Sequence, residues 1–233
     1  MTNPNGSWIW YELLTTDADA AIDFYRQIVG WTPSRFPGGA IDYNIMSAGE
    51  DGVAGIMKNP APTAPAWIGY VGVDDVDAAV AKIESRGGKT HMPPTDLDGV
   101  GRMSMVEDPQ GAHFYVMRGA SPEASTAFGR TELGKASWNE LQTTDDEAAF
   151  GFYSEMFGWQ KDGAMPMPWG DYTFLKGGLI TGGEDFKVQA AMLRKIDIVI
   201  GTPGRLIEHA NAGNLLFDDV EVLVLDEADR MLD

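Results

Sequence analysis

The apolar pattern changes period within the first thirty residues. "WIWYELLTT" (8–16) is a run of aromatic and aliphatic positions that reads as a strand. From Asp17 onward the period becomes helical, with Ile22, Tyr25 and Val29 on one face. Asp17 is placed to cap that helix and Gly30 to end it. The same passage then returns. "WYELLTTDADAAIDFYRQIVGW" (10–31) recurs as "WNELQTTDDEAAFGFYSEMFGW" (138–159), offset by 128 residues without a gap. Asp145 and Gly158 repeat the helix start and stop. A strand–cap–helix unit is thus expected twice.

A weaker echo lies between the copies. "WIGYVGVDDVDAAVAKIESRGGK" (67–89) again reads as strand, acidic cap, helix and glycine stop. Short strand-like stretches come after each helix: "DYNIMSAG" and "GVAGIM" after the first, "GRMSMVEDPQGAHFYVMR" (101–118) after the second, with "DPQG" as a hairpin turn. Residues 7–119 therefore read as two tandem βαβββ units, 120–135 as a linker, and 136–183 as the start of a second such domain.

The order of "TTD…FY…GW", "VDDVDAAVAKI…GG", "PPTD…GVGR" and "DPQGAHF" resembles the vicinal-oxygen-chelate superfamily, the glyoxalase/bleomycin-resistance/dioxygenase fold. The likeness covers about 7–183 and implies an α+β fold in which paired βαβββ modules form one curved sheet. It also implies four units, yet the third stops after "GGLITGG" (177–183). Residues 184–233 resemble a DEAD-box RNA helicase through "DIVIGTPGRL" and "VLVLDEADRMLD". The chain reads as a fusion joined near Gly182–Gly183, with an α/β fragment completing the truncated domain.

Charge argues against a nucleic-acid function. The chain carries 17 Lys and Arg against 35 Asp and Glu, net −18, and the tail itself holds five basic against eleven acidic residues. Phosphate backbones and anionic membranes are repelled by such a field. By resemblance, Thr202–Arg205 match the backbone-holding motif and Asp226–Asp229 the motif that handles magnesium and water. No G-x-x-x-x-G-K-[ST] loop precedes them to cradle a nucleotide. The nearest approach, "IESRGGKT" (83–90), comes after a helix instead of opening one. Absence of cysteine removes disulfides and thiolate chemistry. Neither a leader nor an apolar run of about 20 residues is seen, so the cytoplasm is the expected location and no membrane partner is expected.

Metal-dependent members of the resembled fold place His, Glu or Gln at four inward strand positions. Here those fall on Trp10, near Ile56, on Ile68 and on Tyr115, none a good ligand, so no metal and no cofactor is expected. Alternation puts Trp8, Trp10 and Glu12 on one face, Ile68 with Tyr70, and His113 with Tyr115. The expected pocket is aromatic, with Trp8, Trp10, Ile68, Tyr70 and Tyr115 contacting substrate and Glu12 with His113 as an acid–base pair. Glu140 repeats Glu12, which fits a structural anchor as well as a catalyst. His91 and His209 read as surface residues, and Met103, Met105 and Met117 as core. Ser104 is a conceivable nucleophile without an elbow to expose it.

The function expected is a small-molecule enzyme of isomerase, lyase or hydrolase type, with a small aromatic or carbonyl-containing partner. A sequestering binding protein is the first alternative and a metal-dependent dioxygenase or glyoxalase the second. An RNA helicase comes last. The open edge of an incomplete sheet leaves a homodimer in play.

Overall fold

In the computed structural model, residues 3–37, 42–60, 64–167 and 170–176 are described. The helicase-like tail, with the strands and helix expected in it, lies outside them.

Eight strands form one sheet. The first unit contributes β1 (Trp8–Thr15), α1 (Ala18–Ile28), β2 (Thr32–Arg35), β3 (Tyr43–Ala48) and β4 (Asp51–Lys58). The second contributes β5 (Ala66–Gly72), α2 (Val76–Ser85), β6 (Lys89–Leu97), β7 (Gly101–Glu107) and β8 (His113–Gly119). Strand order is β2-β3-β4-β1-β5-β8-β7-β6, so each unit closes with its last strand beside its first. β1 runs parallel to β4 and β5 parallel to β8, while β1 and β5 meet antiparallel at the centre. The two units are therefore related by the β1–β5 seam, where Trp10 lies opposite Tyr70 and Glu12 opposite Ile68.

Both helices start as the sequence implies. Asp17 accepts a hydrogen bond from the Ala20 amide and Asp75 from the Ala78 amide, each 3.0 Å, satisfying donors that the helix itself leaves open. α1 covers one half of the sheet, its Ala21, Ile22 and Tyr25 packing on Leu13, Met46, Ala54 and Ile56. α2 covers the other through Val76, Val80 and Ile83, against Val71, Val106, Phe114 and Val116.

The third unit departs from expectation. Its helix α3 (Asp146–Phe157) forms, capped by Asp145 and ended by Gly158 at φ 72°, a left-handed conformation that glycine adopts without cost. The preceding "WNELQ" is not a strand. A strand is held by neighbours on its edges, and β1 has β4 and β5, while among the described residues no strand pairs with 138–142. Instead α3 docks on the α2 side of the first domain, with Phe152, Tyr153, Phe157 and Trp159 joining the Val71–Val116 core. The "DPQG" turn joins the same contact. Asp108 accepts from the amides of Gln110 and Ala112, both 2.9 Å, and from the Tyr153 hydroxyl, also 2.9 Å. β9 (Gln160–Met167) and β10 (Gly170–Lys176) pair with each other as a separate ribbon.

Candidate functional site

Facing away from the helices, the central strands carry a second cluster: Ile9, Ile68, Tyr70, Met103 and Tyr115, with Trp10, Met105 and Met117 packed against it. The Tyr70 and Tyr115 rings stack with centroids 4.2 Å apart and planes 14° apart. That spacing is a product of register, because Tyr70 and Tyr115 are partners on parallel strands.

Glu12 sits among these rings, 4% exposed. The Tyr70 hydroxyl donates to its Oε2 at 3.0 Å, and the hydroxyls of Tyr43 and Tyr115 lie close enough to favour its charged form. Burial raises the Glu12 pKa, and the three hydroxyls lower it again in part. Each tyrosine hydroxyl is in turn pushed up, first by burial and, for all three, by the Glu12 charge. A buried carboxylate is costly unless it is hydrogen-bonded, and here Tyr70 donates to it while two further tyrosine hydroxyls stabilise its charge. Such a group can hold a proton beyond the ordinary carboxylate range and hand it to, or take it from, a bound molecule.

Tyr43 is the residue that strand alternation alone did not reveal. It lies on β3, and its ring passes over Gly55 on β4. A Cβ at position 55 would fall 1.8 Å from the Tyr43 hydroxyl, so any side chain there would displace it. In that position Tyr43 OH accepts a 2.7 Å hydrogen bond from Trp10 Nε1. Trp10 and Glu12 of β1 and Tyr43 of β3 thus form a polar group that reaches across β4. The available clue was an aromatic on one strand diagonal to a glycine on its neighbour, Tyr43 pairing with Met57 and Ile45 with Gly55, which only the register makes visible.

Of the expected pocket residues, Trp10, Glu12, Ile68, Tyr70 and Tyr115 come together. Trp8 does not. The β1–β5 register shifts between Trp8 and Trp10, and this irregularity turns Trp8 to the helix side, where it packs on Trp159 with centroids 5.7 Å apart. His113 shares a strand face with Tyr115 but does not pair with Glu12. It lies at the far end of β8, with Nε2 3.6 Å from Glu107 Oε2 and its ring 4.6 Å from that of His91. His91 is exposed as expected, yet it is a partner and not a bystander: its Nε2 is 2.8 Å from Glu107 Oε2. Lys89 and His91 hold the Glu107 carboxyl down to about 2. Ser104 faces the opposite side, buried, with its hydroxyl given to the Met92 carbonyl at 2.7 Å.

Of the four inward positions considered in the sequence, the one near Ile56 is reassigned by the register of β4. Leu13, which pairs with Ile56, and Ile56 itself both pack under α1, so the inward residue on β4 is Gly55. Trp10, Gly55, Ile68 and Tyr115 offer no carboxylate, imidazole or thiolate to a divalent ion.

Comparison with known proteins matches this architecture. The family model described as Glyoxalase/Bleomycin resistance protein/Dioxygenase superfamily matches residues 9–116. Residues 9–116 belong to that superfamily. The chain is similar to CFP32 of Mycobacterium tuberculosis, by its name a candidate glyoxylase, at 37% identity over 158 residues, 64% of this chain and 59% of that protein. It is also similar to the anthracycline biosynthesis protein DnrV of Streptomyces peucetius, at 32% over 169 residues, 66% of this chain and 61% of that one. The chain spans about three fifths of the length of these relatives. Among solved structures, a variant of 4-hydroxymandelate synthase from Streptomyces coelicolor shares the fold at 15% identity with TM-score 0.54, covering 75% of this chain and 60% of that one. A second family model, DEAD/DEAH box helicase, matches 168–233. There the chain is 46% identical over 63 residues to the RNA helicase RhlB of Shewanella denitrificans, 27% of this chain and 15% of that protein. No helix among the described residues is long and apolar enough to cross a membrane.

Proposed function

We propose that the glyoxalase-type domain takes a small aromatic or carbonyl-containing molecule on the face bearing Trp10, Tyr70 and Tyr115, and that Glu12 moves a proton on it. The observation that carries this reading is the buried Glu12 carboxyl, bonded by the Tyr70 hydroxyl on an aromatic face. Aromatic side chains offer stacking surface to a planar ligand. The hydroxyls polarise a carbonyl oxygen, and the carboxyl with its raised pKa exchanges a proton at the neighbouring atom. This is acid–base chemistry of the isomerase or lyase kind, and it needs no metal at the four inward strand positions. The naming of DnrV for anthracycline biosynthesis supports a planar, carbonyl-bearing ligand.

The stacked Tyr70–Tyr115 pair also supports a second reading, a protein that binds such a molecule without converting it. Hydrogen exchange separates the two. An aryl ketone such as α-tetralone in D2O, monitored by NMR, would lose its α-proton signal faster with the wild-type chain. The acceleration would fall by roughly 10²–10⁴-fold in Glu12→Gln if Glu12 is the base. Binding without accelerated exchange selects the sequestering reading.

For the tail we propose no ATPase role. It spans 15% of the RhlB length, and no nucleotide-cradling loop precedes its acidic motif in this chain.

A further inference from the structure

Three side chains that the aromatic site does not use converge where β6, β7 and β8 end together. Glu107 closes β7, His113 opens β8 directly opposite it, and His91 lies on β6. His91 is there because β6 is irregular. Lys89 pairs with Glu107, Thr90 with Val106, and the next partner pair is Met92 with Met105, which leaves His91 as the extra residue of a bulge. A bulge redirects a side chain, and this one turns the imidazole onto Glu107.

From this geometry we infer a binding site for one divalent transition-metal ion of the Zn²⁺ class, held by His91 Nε2, Glu107 Oε2 and His113 Nε2. The three donor atoms lie within 4.8 Å of one another, with Oε2 2.8 Å from the first imidazole nitrogen and 3.6 Å from the second. Tetrahedral zinc with bonds of about 2.0–2.1 Å places neighbouring donors about 3.3 Å apart, so small side-chain rotations bring all three onto one ion. Two neutral imidazoles and a carboxylate are a donor set that suits zinc, and three protein ligands leave the fourth position to water or a ligand oxygen. The carboxylate is oriented from behind, because Lys89 Nζ holds Oε1 while Oε2 faces the rings. The side chains of His91 and His113 are 40% and 42% exposed, so an ion reaches them without opening the core.

This site is separate from the inward strand positions of the fold, and it stands or falls independently of the role given to Glu12. It does lie on the same strand face as Tyr115, two residues along β8, within about 7 Å by strand rise. An ion there is near enough for its open position to meet a molecule extending from the aromatic face.

Zn²⁺ titration of the full, tag-free, metal-stripped chain tests the inference. Isothermal calorimetry should show one equivalent bound, and Co²⁺ should give the intense visible band of a tetrahedral site. His91→Ala and His113→Ala should each weaken Zn²⁺ binding at least tenfold, whereas His209→Ala, Trp10→Ala and Glu12→Gln should bind as the wild type does. Circular dichroism checks that the variants remain folded. Absence of a saturable single equivalent, or equal affinity in His91→Ala and His113→Ala to that of the wild type, would overturn the site.

Discussion

The two copies of one sequence passage meet different fates. In the first, residues 10–14 are the central strand of an eight-stranded sheet, and Glu12 is 4% exposed among tyrosines. In the second, residues 138–142 form no strand, Trp138 is 44% exposed and Glu140 is exposed as well. The helices reverse the contrast. α1 has no fully buried residue, whereas α3 buries Phe152, Tyr153, Met156 and Phe157 against the α2 side of the first domain. A strand motif is completed by strands beside it and a helix motif by a surface under it. The same side chains therefore build a candidate site in one copy and a docking helix in the other.

Matched substitutions break this comparison most directly at the phenylalanines. Phe24 and Phe152 are equivalent in the repeat but 39% and 7% exposed. Phe152→Ala should cost about 3–5 kcal/mol of unfolding free energy, the usual loss for a buried ring, and Phe24→Ala about 1 kcal/mol or less. Urea denaturation of the two variants measures both, and equal losses would remove the asymmetry between the helices.

Next in size are the acids. Glu12→Ala leaves buried tyrosine hydroxyls without their acceptor and should cost about 1–3 kcal/mol, while Glu140→Ala should stay within about 0.5 kcal/mol of the wild type. Smaller again, and equal in both copies, is the cap. Asp17→Ala and Asp145→Ala should each cost about 1 kcal/mol, because capping depends on local backbone alone. A marked difference between them would mean that context reaches even this local interaction.

The smallest effect is on pH dependence. Burial raises the Glu12 pKa, so the native state keeps a proton that the unfolded chain releases. Stability contributed by Glu12 is present below the ordinary carboxylate pKa and declines as pH rises through the raised one. Glu12→Gln should flatten that decline in a series of melting curves, and Glu140→Gln should leave it unchanged.

Much of this was legible in the chain, and what was not has a common cause. Alternation along β1, β5 and β8 is enough to bring Trp10, Glu12, Ile68, Tyr70 and Tyr115 to one face. Asp17, Asp75 and Asp145 mark helix starts because a cap needs only its own next three residues. Trp8 was misjudged, and the contact of exposed His91 with Glu107 went unseen, because a register irregularity comes after the first and a bulge contains the second, and neither leaves a mark in hydrophobic period. Tyr43 reaches Glu12 only because Gly55 lies beneath its ring. The Glu12–His113 pairing failed because facing the same way on a sheet is not the same as being at the same height along it. Residues 138–142 form no strand because a strand needs neighbours that the motif does not itself supply, and among the described residues none pairs with it.

Ligand binding joins the contrast between the copies to the proposed function. Equilibrium titration of the full chain with a soluble planar carbonyl probe, anthraquinone-2-sulfonate, read by tryptophan fluorescence and calorimetry, should be run on the wild type, Glu12→Gln, Glu140→Gln, Trp10→Ala and Trp138→Ala. The expected result is a single binding site that Trp10→Ala and Glu12→Gln weaken by about tenfold or more while their repeat partners leave it unchanged. Binding that is lost equally in Trp138→Ala or Glu140→Gln, or left untouched by both first-copy variants, would contradict the assignment of the site to the first copy.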